Sequence, residues 1–175
     1  MKNNSILNIF VLVLMLAGLL AASGCGYRFS GGGALPSGTG DICISIFENR
    51  SSETLLENSL TNDTIYEFTR NGQSVKRNES ASESLMTGVI LSVTTESTTR
   101  ATNYTSVEKK VKVVISITLK NSKGKTLWEN SELRCEETFQ ADTNNEIEKT
   151  YKKEALVKLS KRFASDLYAK MTENF

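Results

Sequence analysis

From Val107 to Leu119 the chain alternates with the period of a strand. Val107, Lys109, Val111, Val113, Ile115, Ile117 and Leu119 fall on one side, and Lys110, Lys112, Ser116, Thr118 and Lys120 on the other. Alternation this long calls for a sheet with one face buried and one face wet. Asn121-Ser122-Lys123-Gly124 reads as a tight turn into a second strand over Thr126 to Phe139. Upstream, Leu85, Thr87, Val89, Leu91 and Val93 share one side of another long strand. A shorter strand is expected over Ile42 to Phe47, and a weak one around Ser74 to Arg77.

Two stretches have helical spacing instead. Glu53 to Arg70 carries a stripe of Leu56, Leu60, Ile65 and Phe68, with Ser51 or Ser52 as a cap and Asn71-Gly72 as the stop. Asn145 to Thr172 carries Ile147, Tyr151, Ala155, Leu159, Phe163, Leu167 and Met171 at spacing four, a stripe that reads as core. The expected fold class is α+β. It is a two-layer α/β sandwich, with two helices packed on one face of a mixed, mostly antiparallel four-stranded sheet and the other face open.

The N-terminus predicts a destination. Lys2 precedes an apolar run over residues 6–22, broken only by Asn8, and then comes Ala22-Ser23-Gly24-Cys25. The run is at the short limit for spanning a bilayer and has no basic stop after it. Positive end, apolar core and small residues make a secretory signal. The cysteine that follows is similar to a bacterial lipobox, whose cysteine receives acyl chains, although Ala22 stands where leucine is usual. Residues 1–24 are thus expected to be removed as a lipoprotein signal peptide, leaving Cys25 acylated. Residues 25–40, with six of the chain's eleven glycines and its one proline, Pro36, then form a lipidated flexible lead, and 41–175 a single domain. Several acyl chains make a lasting anchor, here at the periplasmic side of the outer membrane.

Composition narrows the function. The chain has no histidine, which excludes the Ser–His–Asp and Cys–His arrangements and the common histidine-containing metal sites. Its glycines do not form a phosphate loop, and Glu136-Glu137 point to opposite faces of a strand. No enzyme activity, metal or cofactor is expected. Past residue 24 the chain carries 20 basic and 20 acidic side chains, a balance that argues against nucleic acid. Charge is nonetheless segregated. Residues 96–125 hold seven basic and two acidic groups, and residues 129–148 seven acidic and one basic. A polarised surface with an anionic partner is the expectation, against the plainer alternative of solvated strand faces.

Cys43 and Cys135 could form a disulfide in an oxidising compartment. Strand parity places their sulfurs on opposite sides of the sheet, which favours two free thiols.

Several motifs together resemble one family. A lipobox is followed by Cys25-Gly26-Tyr27-Arg28-Phe29, then Ile44-Ser45-Ile46-Phe47-Glu48-Asn49, a helix ending in Asn71-Gly72, Thr87-Gly88-Val89-Ile90, and Gly124-Lys125-Thr126-Leu127-Trp128 before a long last helix. The whole resembles the LptE family of lipopolysaccharide-assembly lipoproteins. The resemblance implies two helices on a four-stranded sheet, residence inside an LptD-type β-barrel of the outer membrane, and binding of lipopolysaccharide on its way to the outer leaflet. It implies lipopolysaccharide-contacting basic residues at two places. Arg100 fills the loop after the glycine-bearing strand. Phe139-Gln140-Ala141-Asp142, before the last helix, has no lysine, so Lys109 and Lys123 are expected to substitute from the same end of the hairpins. The alternative is a lipoprotein that regulates a peptidoglycan synthase or belongs to a secretion complex, since short Ile-rich strands leading into Phe47-Glu48-Asn49-Arg50 occur there too.

Overall fold

The computed structural model describes residues 33–98 and 108–173. Cys25, Arg100 and Val107 lie outside the described residues. The elements are β1 (Ile42–Ile44), β2 (Glu48–Asn49), α1 (Leu56–Arg70), β3 (Val75–Lys76), a 3-10 turn at Glu79–Ala81, β4 (Ser84–Thr98), β5 (Glu108–Asn121), β6 (Thr126–Gln140) and α2 (Asn145–Thr172). The sheet runs β3-β1-β4-β5-β6, with β2 continuing alongside β4 beyond β1. β4, β5 and β6 are antiparallel, whereas β1 lies parallel to both β3 and β4. The α+β expectation of two helices on a mixed sheet holds. The four strands expected become six, because the weak strand does pair and the first strand is broken in two.

β5 is the spine. Val111, Val113, Ile115, Ile117 and Leu119 are all fully buried on the side facing the helices. On α2 that side meets Ala155, Leu159, Phe163, Leu167 and Met171, all buried as the spacing predicts, while Ile147 stays largely exposed. Fully buried Ser160 donates to Asp63 Oδ2 of α1 at 2.5 Å and ties the helices together. α1 starts at Leu56, later than the expected Glu53. Ser51 is held in a local turn by Asn49 rather than capping the helix, and Leu55 enters at φ 68° with no side-chain cap. The stop is as read: Asn71 caps the helix, and Gly72, at φ 82°, turns the chain away.

Three expectations fail, and two of them for one reason. On β4 the buried side is Ser84, Met86, Gly88 and Ile90, not the face of Leu85, Thr87, Val89 and Leu91. Ile90 pairs with Ile115 and Ser92 with Val114, so Leu91 is an extra residue in a bulge. Past it the parity flips, and Val93, opposite Val113, packs against the core. The first strand bulges too. Ile44 pairs with Met86 but Glu48 with Val89, four residues against three. Phe47 turns inward and is 2% exposed, while Ile46, expected to share the face of Ile42 and Ile44, is left 70% exposed.

The third correction concerns the lead. Its last residues belong to the folded domain rather than to a flexible segment. Pro36 and Thr39 are buried, Leu35 packs against the core, and Ser84 Oγ donates to Thr39 O at 2.5 Å. Gly33 lies so close to Thr172 that a Cβ there would collide with it.

Cys43 and Cys135 are free thiols. Separation across the sheet suffices as the reason. β1 and β6 are three strand spacings apart, about 14 Å, against a limit of about 7 Å between bridged Cα atoms. Burial pushes both thiols up, Cys135 to about 11.

Candidate functional site

The basic and acidic stretches that look segregated in sequence run side by side as β5 and β6, and charges on the open face are paired in part. Lys110 Nζ lies 2.7 Å from Glu136 of β6, and Lys112 Nζ 2.7 Å from Glu96 of β4. The hydrogen bond from Lys110 holds the Glu136 carboxyl below its usual range, and the bond to Glu96 raises Lys112. Both pairs sit on the open face of the sheet and are well exposed, so they contribute little to stability. The expected polarisation is therefore reduced where β5 and β6 run side by side.

Lys109 behaves differently. It is on the helix-facing side, opposite Phe139 of β6, and Nζ donates to Glu148 Oε1 of α2 at 2.6 Å. That bond, more than any other contact, depresses the Glu148 carboxyl. The other Glu148 oxygen accepts from the backbone N–H of Asp142, which fixes the entry into α2, and Asn144 Oδ1 caps the helix by accepting from Glu146 N–H. α2 thus begins beside the root of β5, and its first turns line a cleft of about 390 Å³ with Thr95, Ser97, Lys109 and Phe139. Lys149 and Lys152 of α2 reach into this cleft.

Lys123 is elsewhere. It lies in the β5–β6 turn, where its backbone N–H and that of Lys125 both donate to Asn121 Oδ1, and Gly124 takes φ 78°. The eleven steps from Lys109 to Lys120 span about 37 Å of extended strand. Lys109 and Lys123 are therefore at opposite ends of the sheet, not at the same end as expected. The four residues 122–125 turn the chain back, so each end of β5 belongs to a different hairpin. The lysines that do share an end with Lys109 are Lys149 and Lys152, and reading the last helix only for its apolar stripe passed over them.

The Lys123 end is also where the chain enters the domain. Ser122 N–H donates to Glu83 O at 2.8 Å, and Glu83 N–H to Asp41 O at 2.8 Å. Gly33 and Thr172 meet at the other terminus of α2 from Lys149. Among the described residues no helix is long and apolar enough to cross a membrane.

With this geometry in place, comparison settles the family. The LptE family model, described as lipopolysaccharide-assembly, matches residues 39–171, which takes in every strand and nearly all of both helices. The chain belongs to the LptE family. Among solved structures, the chain shares its fold with the minor lipoprotein of Acinetobacter baumannii. The two are 14% identical, with 78% of this chain and 92% of that chain covered, at a TM-score of 0.50. Similarity extends to lipoprotein B of Nitrosomonas europaea (14% identity, 77% and 83% covered, TM-score 0.49) and to the PelC dodecamer of Paraburkholderia phytofirmans (11% identity, 80% and 94% covered, TM-score 0.46). No curated protein matches the sequence.

Proposed function

We propose that this LptE-family protein is a non-enzymatic lipoprotein of the outer membrane that partners an LptD-type β-barrel and binds lipopolysaccharide bound for the outer leaflet. The family match over residues 39–171 carries the reading. In it, residues 1–24 are removed, Cys25 is acylated and the lead from Cys25 tethers the domain to outer-membrane lipid. Gly33 is only eight positions after Cys25, a reach of at most about 28 Å. The tethered end is then the end of Thr172 and the β5–β6 turn. The paired ends of β4 and β5 at Thr98 and Glu108, and the first turns of α2, lie at the opposite end.

Arg100 in the β4–β5 loop and Lys109 at the root of β5 are the proposed phosphate contacts. Arginine suits the role because its planar fork can hold a phosphate through two hydrogen bonds. Lys109 has three donors and spends one on Glu148, so a phosphate can take another without breaking the pair. Lys123, at the tethered end, is not part of this constellation.

Pull-down of the tagged chain from detergent-solubilised outer membrane tests the reading. A β-barrel and lipopolysaccharide should co-purify, and Cys25→Ser should leave the chain unacylated and off the membrane. Arg100→Glu should weaken lipopolysaccharide binding five- to thirty-fold at low salt, roughly 1 to 2 kcal/mol for an exposed charged contact. Recovery of a peptidoglycan synthase or a secretion ring in place of a barrel would overturn it.

A further inference from the structure

The cleft beneath Lys109 does not end at α2. Lys149 and Lys152 line it on one side and on the other line a second groove, about 520 Å³, between the start of α1 and the N-terminal half of α2. The floor of this groove is apolar: Leu55, Leu56, Leu156 and Val157. Its rim carries Lys149, Lys152 and Lys153 against a single acid, Glu53. Glu53 is paired with Lys152, which leaves a cationic excess from the other two. Lys153 makes no ion pair among the described residues, and Lys149 is held only by Glu146 in a pair that is 72% and 80% exposed, readily exchanged for another anion.

Two floor residues are out of place for a surface that meets only water. Leu55 is 66% exposed and Val157 43% exposed. Leu55 is also the one described non-glycine residue at positive φ, 68°. Its Cβ is strained there, and glycine would adopt the same backbone without that strain. Nothing in the packing of the domain explains a leucine at this position.

We propose that this groove seats an acyl chain of lipopolysaccharide, with its phosphate groups on the lysine rim. The proposal rests on the lipopolysaccharide-binding reading above and adds to it a lipid-contacting surface outside the β4–β5 loop. The match is one of charge and shape. A concave apolar floor with a net cationic rim fits an amphiphile that has an anionic head and an alkyl tail. Continuity with the Lys109 cleft lets one ligand span both, phosphates across Lys109, Lys149 and Lys152 and a chain running down onto Leu55 and Val157.

Leu55→Gly and Val157→Glu test it in the full-length acylated protein purified from membranes. The readouts are affinity for intact lipopolysaccharide and for its fully deacylated form, the melting temperature, and barrel co-purification. Leu55→Gly should hold or raise the melting temperature, since it relieves strain, yet lower affinity for intact lipopolysaccharide about tenfold, as expected for removing one apolar side chain from a lipid contact. Val157→Glu should do the same with an unchanged melting temperature. Fully deacylated lipopolysaccharide, stripped of both ester- and amide-linked chains, should bind wild type and Leu55→Gly alike. Unchanged affinity of both variants for intact lipopolysaccharide would overturn the groove assignment while leaving the functional reading standing. So would loss of the barrel with lipopolysaccharide binding intact, since a protein segment would then cover the groove. A wild-type chain that binds neither form would overturn both.

Discussion

Gly88→Ala is the sharpest probe of the core geometry. Gly88 sits on the buried side of β4, directly beneath the ring of Phe47, and a Cβ there would lie 2.7 to 2.8 Å from three ring atoms. Ordinary contact begins at 3.4 Å, so the ring must retreat by about 0.7 Å. It has little room to do so. Phe47 is 2% exposed, its backbone N–H donates to Thr61 Oγ1 at 3.0 Å, and its ring meets Phe163 edge to face with centroids 6.3 Å apart. Overpacking of this kind costs about 1 to 3 kcal/mol. For a domain of this size that corresponds to a melting temperature roughly 4 to 10 °C lower. Thermal unfolding followed by circular dichroism reads it directly. Phe47→Leu relieves the clash, so in the double variant the two losses should fall short of their sum by about 1 kcal/mol. An unchanged melting temperature for Gly88→Ala, or strict additivity in the double variant, would refute the placement of Phe47 over Gly88 and with it the bulge that turns Phe47 inward.

Phe163, 1% exposed at the centre of α2, should cost about 3 to 5 kcal/mol on truncation to alanine, measured by urea unfolding. The Glu148 carboxyl is depressed by its bond from Lys109, so its contribution to stability is full above about pH 4.5 and fades as pH falls through the lowered folded value. Melting temperatures of wild type and Glu148→Ala should accordingly differ at pH 7 and converge as pH falls below the ordinary glutamate range and through the lowered folded value. Cys135, with its thiol pushed up to about 11, should react slowly with a disulfide reagent at pH 8 in the folded protein and rapidly once denatured.

How much of the candidate site was legible follows from how each residue is placed. Lys109 could be found because it breaks an apolar face near the root of β5. Its partner Glu148 is 39 residues away, and no local pattern pairs them. Lys149 and Lys152 look like ordinary solvated helix positions until α2 is laid beside β5. Lys123 was grouped with Lys109 because both are hairpin lysines, and only the length of β5 shows that they face opposite ways. Charge misled for a similar reason. Stretches of opposite sign in sequence became adjacent antiparallel strands, where Lys110 meets Glu136.

The sequence by itself determined β5, α2 and the end of α1. An uninterrupted period of two or near four over a dozen residues admits one buried side, and Asn71-Gly72 supplies a left-handed stop wherever the helix packs. Only the tertiary structure decided which side of β4 is core and which residue of Ile46-Phe47 points inward. A bulge inserts one residue and reverses every side chain beyond it, so the two parities of a short strand are equally good on paper. The choice is made across the sheet. Ile90 must oppose Ile115 while Val93 opposes Val113, and both register constraints can be met only if Leu91 is expelled between them.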